Sequence, residues 1–88
     1  MSTPPYTVNV RHSAQKEVRA LDAALRVRII QTIRRLEGNP RPPGCRKLVG
    51  SESRWRIRVG DYRIIYTIDD AGRLLEIMAV RHRSKAYE

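Results

Sequence analysis

Trp55-Arg56-Ile57-Arg58-Val59-Gly60-Asp61-Tyr62-Arg63-Ile64-Ile65-Tyr66 is the most informative stretch of this 88-residue chain. Its first five residues alternate apolar and basic side chains. Successive strand residues point to opposite faces, so the pattern predicts a strand with one greasy face and one cationic face. Gly60-Asp61 supplies a tight turn, because glycine adopts positive φ without a Cβ clash. Tyr62 to Ile68 then reads as the returning strand of a hairpin. Arg54, Arg56 and Arg58 share a face opposite Trp55, Ile57 and Val59, and hairpin pairing brings Arg63 near Arg58.

Outward from this hairpin the chain is equally regular. Asp69-Asp70-Ala71-Gly72 is a second hairpin loop, and Leu74 to Val80 is apolar enough for a central strand. Lys47-Leu48-Val49 is a short strand, followed by a turn at Gly50-Ser51-Glu52-Ser53. Before it, Pro42-Pro43-Gly44 forbids regular structure and Gly38-Asn39-Pro40 ends a helix. That helix carries Ile29, Ile30, Ile33 and Leu36 on its apolar stripe. An earlier helix shows Ala14, Val18, Leu21 and Leu25 at helical spacing, with Ser13 as its expected N-cap and Asp22-Ala23-Ala24 as the break between the two. Tyr6 to Val10 alternates as a first strand. The order β-α-α-β-β-β predicts an α+β fold, with an N-terminal strand and a helical hairpin packed on an antiparallel four- to five-stranded sheet. Residues 1–88 are expected to form one domain, with Ile29, Ile30, Ile33, Leu36, Ile57, Ile64 and Ile77 in its core.

Charge narrows the function. Lys and Arg together number 18 against 9 acidic residues, a net charge of +9, and fifteen of the eighteen are arginine. Arginine presents a planar fork that grips phosphate in two places, whereas lysine is a hydrated point charge. Biased composition explains a preference for arginine over lysine but not the excess of positive charge, which suits a nucleic acid or a strongly acidic protein. The last segment adds Arg81, His82, Arg83, Lys85 and Tyr87, so three stretches of chain converge on one basic surface. A solvated strand face explains any single arginine, but not a cluster with no interleaved Asp or Glu.

Other chemistries find no support. The chain has no phosphate-cradling glycine loop and no nucleophile-elbow serine. His12 and His82 lack partners at metal-ligand spacing, and the lone Cys45 excludes an intrachain disulfide. The acidic residues are scattered, unlike the clustered carboxylates of metal-dependent phosphoryl transfer. No cofactor is implied. The chain contains no apolar run of membrane-spanning length, and its N-terminus is unlike a signal peptide, so a cytoplasmic protein is expected. RNA, however, carries its own nucleophile in the 2′-OH. Cutting it needs a base, a cationic site for the pentacoordinate phosphorus and help for the leaving 5′-oxygen. Tyr62, Tyr66 and Trp55 fit sheet packing better than such roles.

The block from Trp55 to Tyr66, followed by Val80-Arg81-His82-Arg83-Ser84-Lys85-Ala86-Tyr87, resembles the signature of RelE-type toxins in the RelE/ParE superfamily. The resemblance spans nearly the whole chain, including the opening strand, the helical hairpin and the Lys47-Leu48 strand. It implies the toxin of a type II toxin–antitoxin pair, an endoribonuclease that enters the ribosomal A site and cuts mRNA there. It also implies an adjacent-encoded acidic antitoxin that wraps the toxin. By position, Arg63 and Arg81 match phosphate-holding arginines and Tyr87 the terminal tyrosine proposed as general base, with His82 as second candidate. Arg54, Arg56, Arg58, Arg83, Lys85 and Lys47 are the expected RNA contacts. Arg56 and Arg58 stand where the best-known members have lysines; staying protonated, they cannot take a proton. Positions 41 to 51 contain no Asp or Glu, so the carboxylate some relatives place there is missing. A ParE-like gyrase inhibitor of the same fold, without nuclease activity, is the alternative. A nucleic-acid-binding module that has lost its chemistry is a third.

Overall fold

The computed structural model describes residues 4–50 and 53–85. The chain runs β1 (Thr7–Val10), α1 (His12–Arg19), α2 (Ala23–Gly38), β2 (Arg46–Lys47), β3 (Arg54–Val59), β4 (Tyr62–Asp69) and β5 (Leu74–His82), then a short 3₁₀ turn at Arg83–Lys85. The strands form one five-stranded sheet in the order β1-β5-β4-β3-β2. The α+β class is as the sequence predicts. One pairing differs from an all-antiparallel sheet: β1 lies parallel to β5, from Thr7 opposite Leu74 to Val10 opposite Ile77, which makes the sheet mixed. The two-helix crossover between β1 and the later strands permits that direction.

Alternation along the strands sets the two faces. Ile57, Val59, Ile64, Tyr66, Leu75, Ile77 and Val80 pack with Ala14, Leu21, Ile29, Ile33 and Leu36 of the helical hairpin in one core. Burying an Ile or Leu side chain fully contributes about 1.5–3 kcal/mol, so this face carries the fold. Ile30 is a correction: it is 39% exposed. The buried positions of α2 are Ile29, Thr32, Ile33 and Leu36, and Ile30 sits one helical step off that stripe. Ser13 is another, since it does not cap α1. The chain leaves the sheet at Arg11, whose N–H still bonds Ile77 O at 3.0 Å, and enters the helix at once with no side-chain cap. Asp22 lies in the inter-helix break as expected and caps α2 by accepting from Leu25 N at 2.9 Å, whereas Ala23 and Ala24 already belong to α2. Of the turn expected at Gly50 to Ser53, positions 51 and 52 lie outside the described residues. The hairpin turn behaves as expected, with Gly60 at φ +60°.

Side-chain bonds hold the loops. Tyr66 Oη, buried, donates to Pro40 O at 2.7 Å and so pins the segment after α2 to the sheet centre. Asp70, in the β4–β5 loop, accepts Tyr6 Oη at 2.6 Å and a two-pronged bond from Arg41 Nη1 and Nη2 at 3.1 and 2.9 Å. Arg41 also lies over the Trp55 ring at 5.0 Å, and Arg73 over Tyr6 at 4.6 Å. No helix among the described residues is long and apolar enough to cross a membrane.

The bonds from Arg41 and then Tyr6 hold the Asp70 carboxyl at a pKa of about 2, below the ordinary aspartate value. A lowered folded-state pKa contributes stability that is present above the unfolded value, roughly 4, and disappears as pH falls through the folded one. Asp70→Asn should therefore melt at a lower temperature than wild type at pH 7. The gap between their melting temperatures should close as pH falls from roughly 4 to about 2. Melting curves across that range test it, and a gap independent of pH would contradict it.

Candidate nucleic-acid interface

The sheet face away from the helices carries the cations in rows. Pairing sets Arg58 opposite Arg63 and Arg63 opposite Arg81, so β3, β4 and β5 each place one arginine in the same row. The next row runs Arg46, Arg56, Ile65, Ala79 across β2 to β5. A third row holds Arg54, Thr67 and Glu76, and there Glu76 accepts from Asn9 at 3.3 Å and lies 3.8 Å from Arg11 Nε. Side chains directly opposite on neighbouring strands stand about 4.5–5.5 Å apart at Cβ, and like charges placed so are destabilising. The Arg58-Arg63-Arg81 row therefore works against the fold.

A groove of about 910 Å³ occupies this face. Ile65, Met78 and Ala79 lie on its floor, and Arg46, Lys47, Arg54, Arg56 and Arg81 are among the cations around it. Met78 is the extra residue where the β4–β5 register shifts, since Ile65 pairs with Ala79 but Tyr66 with Ile77. Trp55, half-buried, packs on the core and also reaches the groove wall. Beyond the short β2 the edge of β3 opens into a second notch of about 510 Å³, between that edge and α2. Arg35 approaches it from the helix, and Arg46, Arg56, Arg58 and Arg63 from the sheet. Among the described residues no Asp or Glu lines either concavity.

Arg63 is the one buried arginine among the described residues, though Arg26 on α2 also has a buried, unpaired Nε. Arg63 is only 5% exposed, and its Nη1 is buried without a hydrogen-bond partner. A buried cationic donor left unpaired costs on the order of 1–3 kcal/mol or more, so such a group calls for an anion.

The structure brings together Arg54, Arg56, Arg58, Arg63, Arg81 and Lys47 on this face or its edge. It does not bring His82 there. His82 pairs with Tyr62 on the opposite face, meets that ring edge-on at 5.4 Å and shares a 2.9 Å hydrogen bond with Ser84 Oγ. Adjacent strand residues point oppositely, so a histidine next to Arg81 in sequence is turned away from it. Arg83 and Lys85 are exposed on the 3₁₀ turn and line neither concavity. Tyr87 lies outside the described residues. Sequence reasoning missed Arg46, because the strand expected from Lys47 begins one residue earlier, and Arg35, whose place in the notch depends on helix packing. Among the described residues no three His, Cys, Asp or Glu side chains group as metal ligands would.

Residues 8–87 match the model of the family described as "ParE toxin of type II toxin-antitoxin system, parDE". No curated protein matches by sequence. Among solved structures, the archaeal RelE–RelB complex from Pyrococcus horikoshii OT3 has a chain 28% identical, at a TM-score of 0.82, with 93% of this chain and 99% of that one covered. The RelBE2 toxin–antitoxin complex from Mycobacterium tuberculosis has one 27% identical, at a TM-score of 0.77, covering 90% and 99%. The YoeB/ParE toxin from Agrobacterium tumefaciens, 22% identical at a TM-score of 0.74 and covering 86% and 96%, shares the fold.

The unpaired Arg63 yields a test with two signs. In buffer free of multivalent anions, Arg63→Met should raise the melting temperature, by roughly 4–8 °C per kcal/mol recovered. Inorganic phosphate should raise the wild-type melting temperature and leave that of the variant unchanged. Equal shifts in both proteins would show that Arg63 holds no anion.

Proposed function

This chain belongs to the family of ParE toxins of type II toxin–antitoxin systems; from its arginine face rather than from that family name, we propose that it is an endoribonuclease that cuts mRNA in the ribosomal A site. Its RelE-like fold and its place in the wider RelE/ParE superfamily set the frame for the reading. The observation that carries the proposal is the buried, unpartnered Nη1 of Arg63 in a row with Arg58 and Arg81. Such a row suits a phosphodiester whose negative charge grows during reaction.

In this reading the 2′-oxygen attacks the adjacent phosphorus, a 2′-O–P bond forms and the P–O5′ bond breaks. Arg63 and Arg81 stabilise the charge on the non-bridging oxygens. Arg56 and Arg58 contact neighbouring phosphates and, being cations, favour the phenolate of Tyr87, which accepts the 2′ proton. A proton from solvent water goes to the departing 5′-oxygen and completes the step. The products are a 2′,3′-cyclic phosphate and a 5′-hydroxyl end. Arginines do not ligate metal ions, so this route uses none. The partner is an acidic antitoxin segment that covers the groove in tight 1:1 pairing; the similar RelE and RelBE2 chains are themselves found in toxin–antitoxin complexes. The working location is the cytoplasm.

The family model bears the ParE name, which favours one second reading: a gyrase inhibitor that binds without cutting. Expression in cells separates the two. The nuclease halts translation and leaves mRNA cut within codons and DNA intact, whereas a gyrase poison leaves mRNA intact and breaks DNA. In programmed-ribosome assays cleavage should persist in EDTA. Tyr87→Phe should slow it by about 10²–10⁴-fold with little change in ribosome binding, the range of a lost general base. His82→Ala should cleave nearly as wild type; a dead His82→Ala beside an active Tyr87→Phe would reverse the assignment.

A further inference from the structure

We propose that Glu17 is a positioning residue that aims Arg81 at the reacting phosphate, an inference that rests on the nuclease reading. β1 covers the outer edge of β5 only as far as Ile77, where the Val10 pairing and the Arg11 N–H bond end. Past that point no strand among the described residues receives the outward amides of β5, and Val80 is 2% exposed. An unpaired buried amide costs on the order of 1–3 kcal/mol. Helix α1 lies along this edge, and Glu17 Oε1 accepts the Val80 N–H at 2.9 Å.

The second carboxylate oxygen accepts from Arg81 Nε at 3.2 Å. One carboxylate thus ties the side chain of Arg81 to the backbone amide of the residue before it. The strand amide is rigid, so the tie removes rotamer freedom from a long side chain that lines the groove. Both side chains are partly exposed, 38% for Arg81 and 30% for Glu17, so the pair adds little to stability by itself. What it fixes is direction. Glu17 lines neither concavity, so it acts through Arg81 and touches no substrate. Its negative charge also offsets the repulsion that Arg81 meets from Arg63 in the same row.

Glu17→Gln tests this role, because the amide keeps an acceptor for Val80 N and loses the charge that holds Arg81. In single-turnover cleavage on programmed ribosomes, Glu17→Gln should be about 10–100-fold slower, since misplacement by about 1 Å costs on that order. Its KM should change by less than about threefold, and its melting temperature by little. In an Arg81→Ala background, Glu17→Gln should cause no further loss, because residues that act as a unit are not additive. A Glu17→Gln enzyme as fast as wild type overturns the inference, and so does an equal loss with or without Arg81. Wild-type protein that cuts no RNA overturns the nuclease reading, and this inference with it.

Discussion

Everything on the cationic face depends on a register that sets Arg58, Arg63 and Arg81 side by side across three strands. Left to their own interactions these cations would part. They are held because a slip of one residue would turn Ile57, Val59, Ile64, Tyr66 and Val80 out of the core and drive arginines under the helices. Each apolar side chain buried on that side contributes about 1.5–3 kcal/mol and a slip would expose several at once, which outweighs the repulsion of like charges directly opposite. The helical hairpin therefore enforces a charge arrangement that the sheet alone would reject. Stability taken from one face holds a dense row of positive charge on the other, with the Arg63 Nη1 donor left unpaired.

Peripheral bonds shape the walls of the groove. Tyr66 Oη on Pro40 O and Arg41 between Asp70 and the Trp55 ring fasten the segment leading into β2. That segment brings Cys45, Arg46, Lys47 and Leu48 to the groove. At the other side α1 closes the edge of β5 where β1 stops, through Glu17. The groove is thus bounded by elements distant in sequence, each tied by a named polar contact to the sheet that forms its floor.

The α+β order, the hairpin at Gly60-Asp61 and the partition of β3 were legible in the sequence, because strand alternation and turn glycine are local signals. The parallel pairing of β1 with β5 was not, since direction follows from how the helical crossover returns the chain. Ile30 misled because a run of adjacent isoleucines leaves the helix stripe ambiguous by one step. For the cationic face, Arg54, Arg56 and Arg58 were readable from parity and Arg63 from hairpin pairing, whereas Arg81 was read from the basic last segment and the family resemblance. The same parity argues against His82, which alternates away from Arg81, but motif resemblance overrode it. Glu17 and Arg35 gave no sequence signal: their roles arise from contacts made only when the helices dock on the sheet.

On the proposed function, the arginine face receives an RNA backbone. Titrating protein labelled at its arginine side-chain nitrogens with a short RNA whose 2′-hydroxyls are methylated, and so cannot react, addresses it directly. The account predicts that the side-chain signals of Arg56, Arg63 and Arg81 and the amides of Ile65 and Ala79 move together, while those of Arg73 and His82 stay in place. Movement confined to the helical face, or none at concentrations where such RNA binds elsewhere, would contradict it.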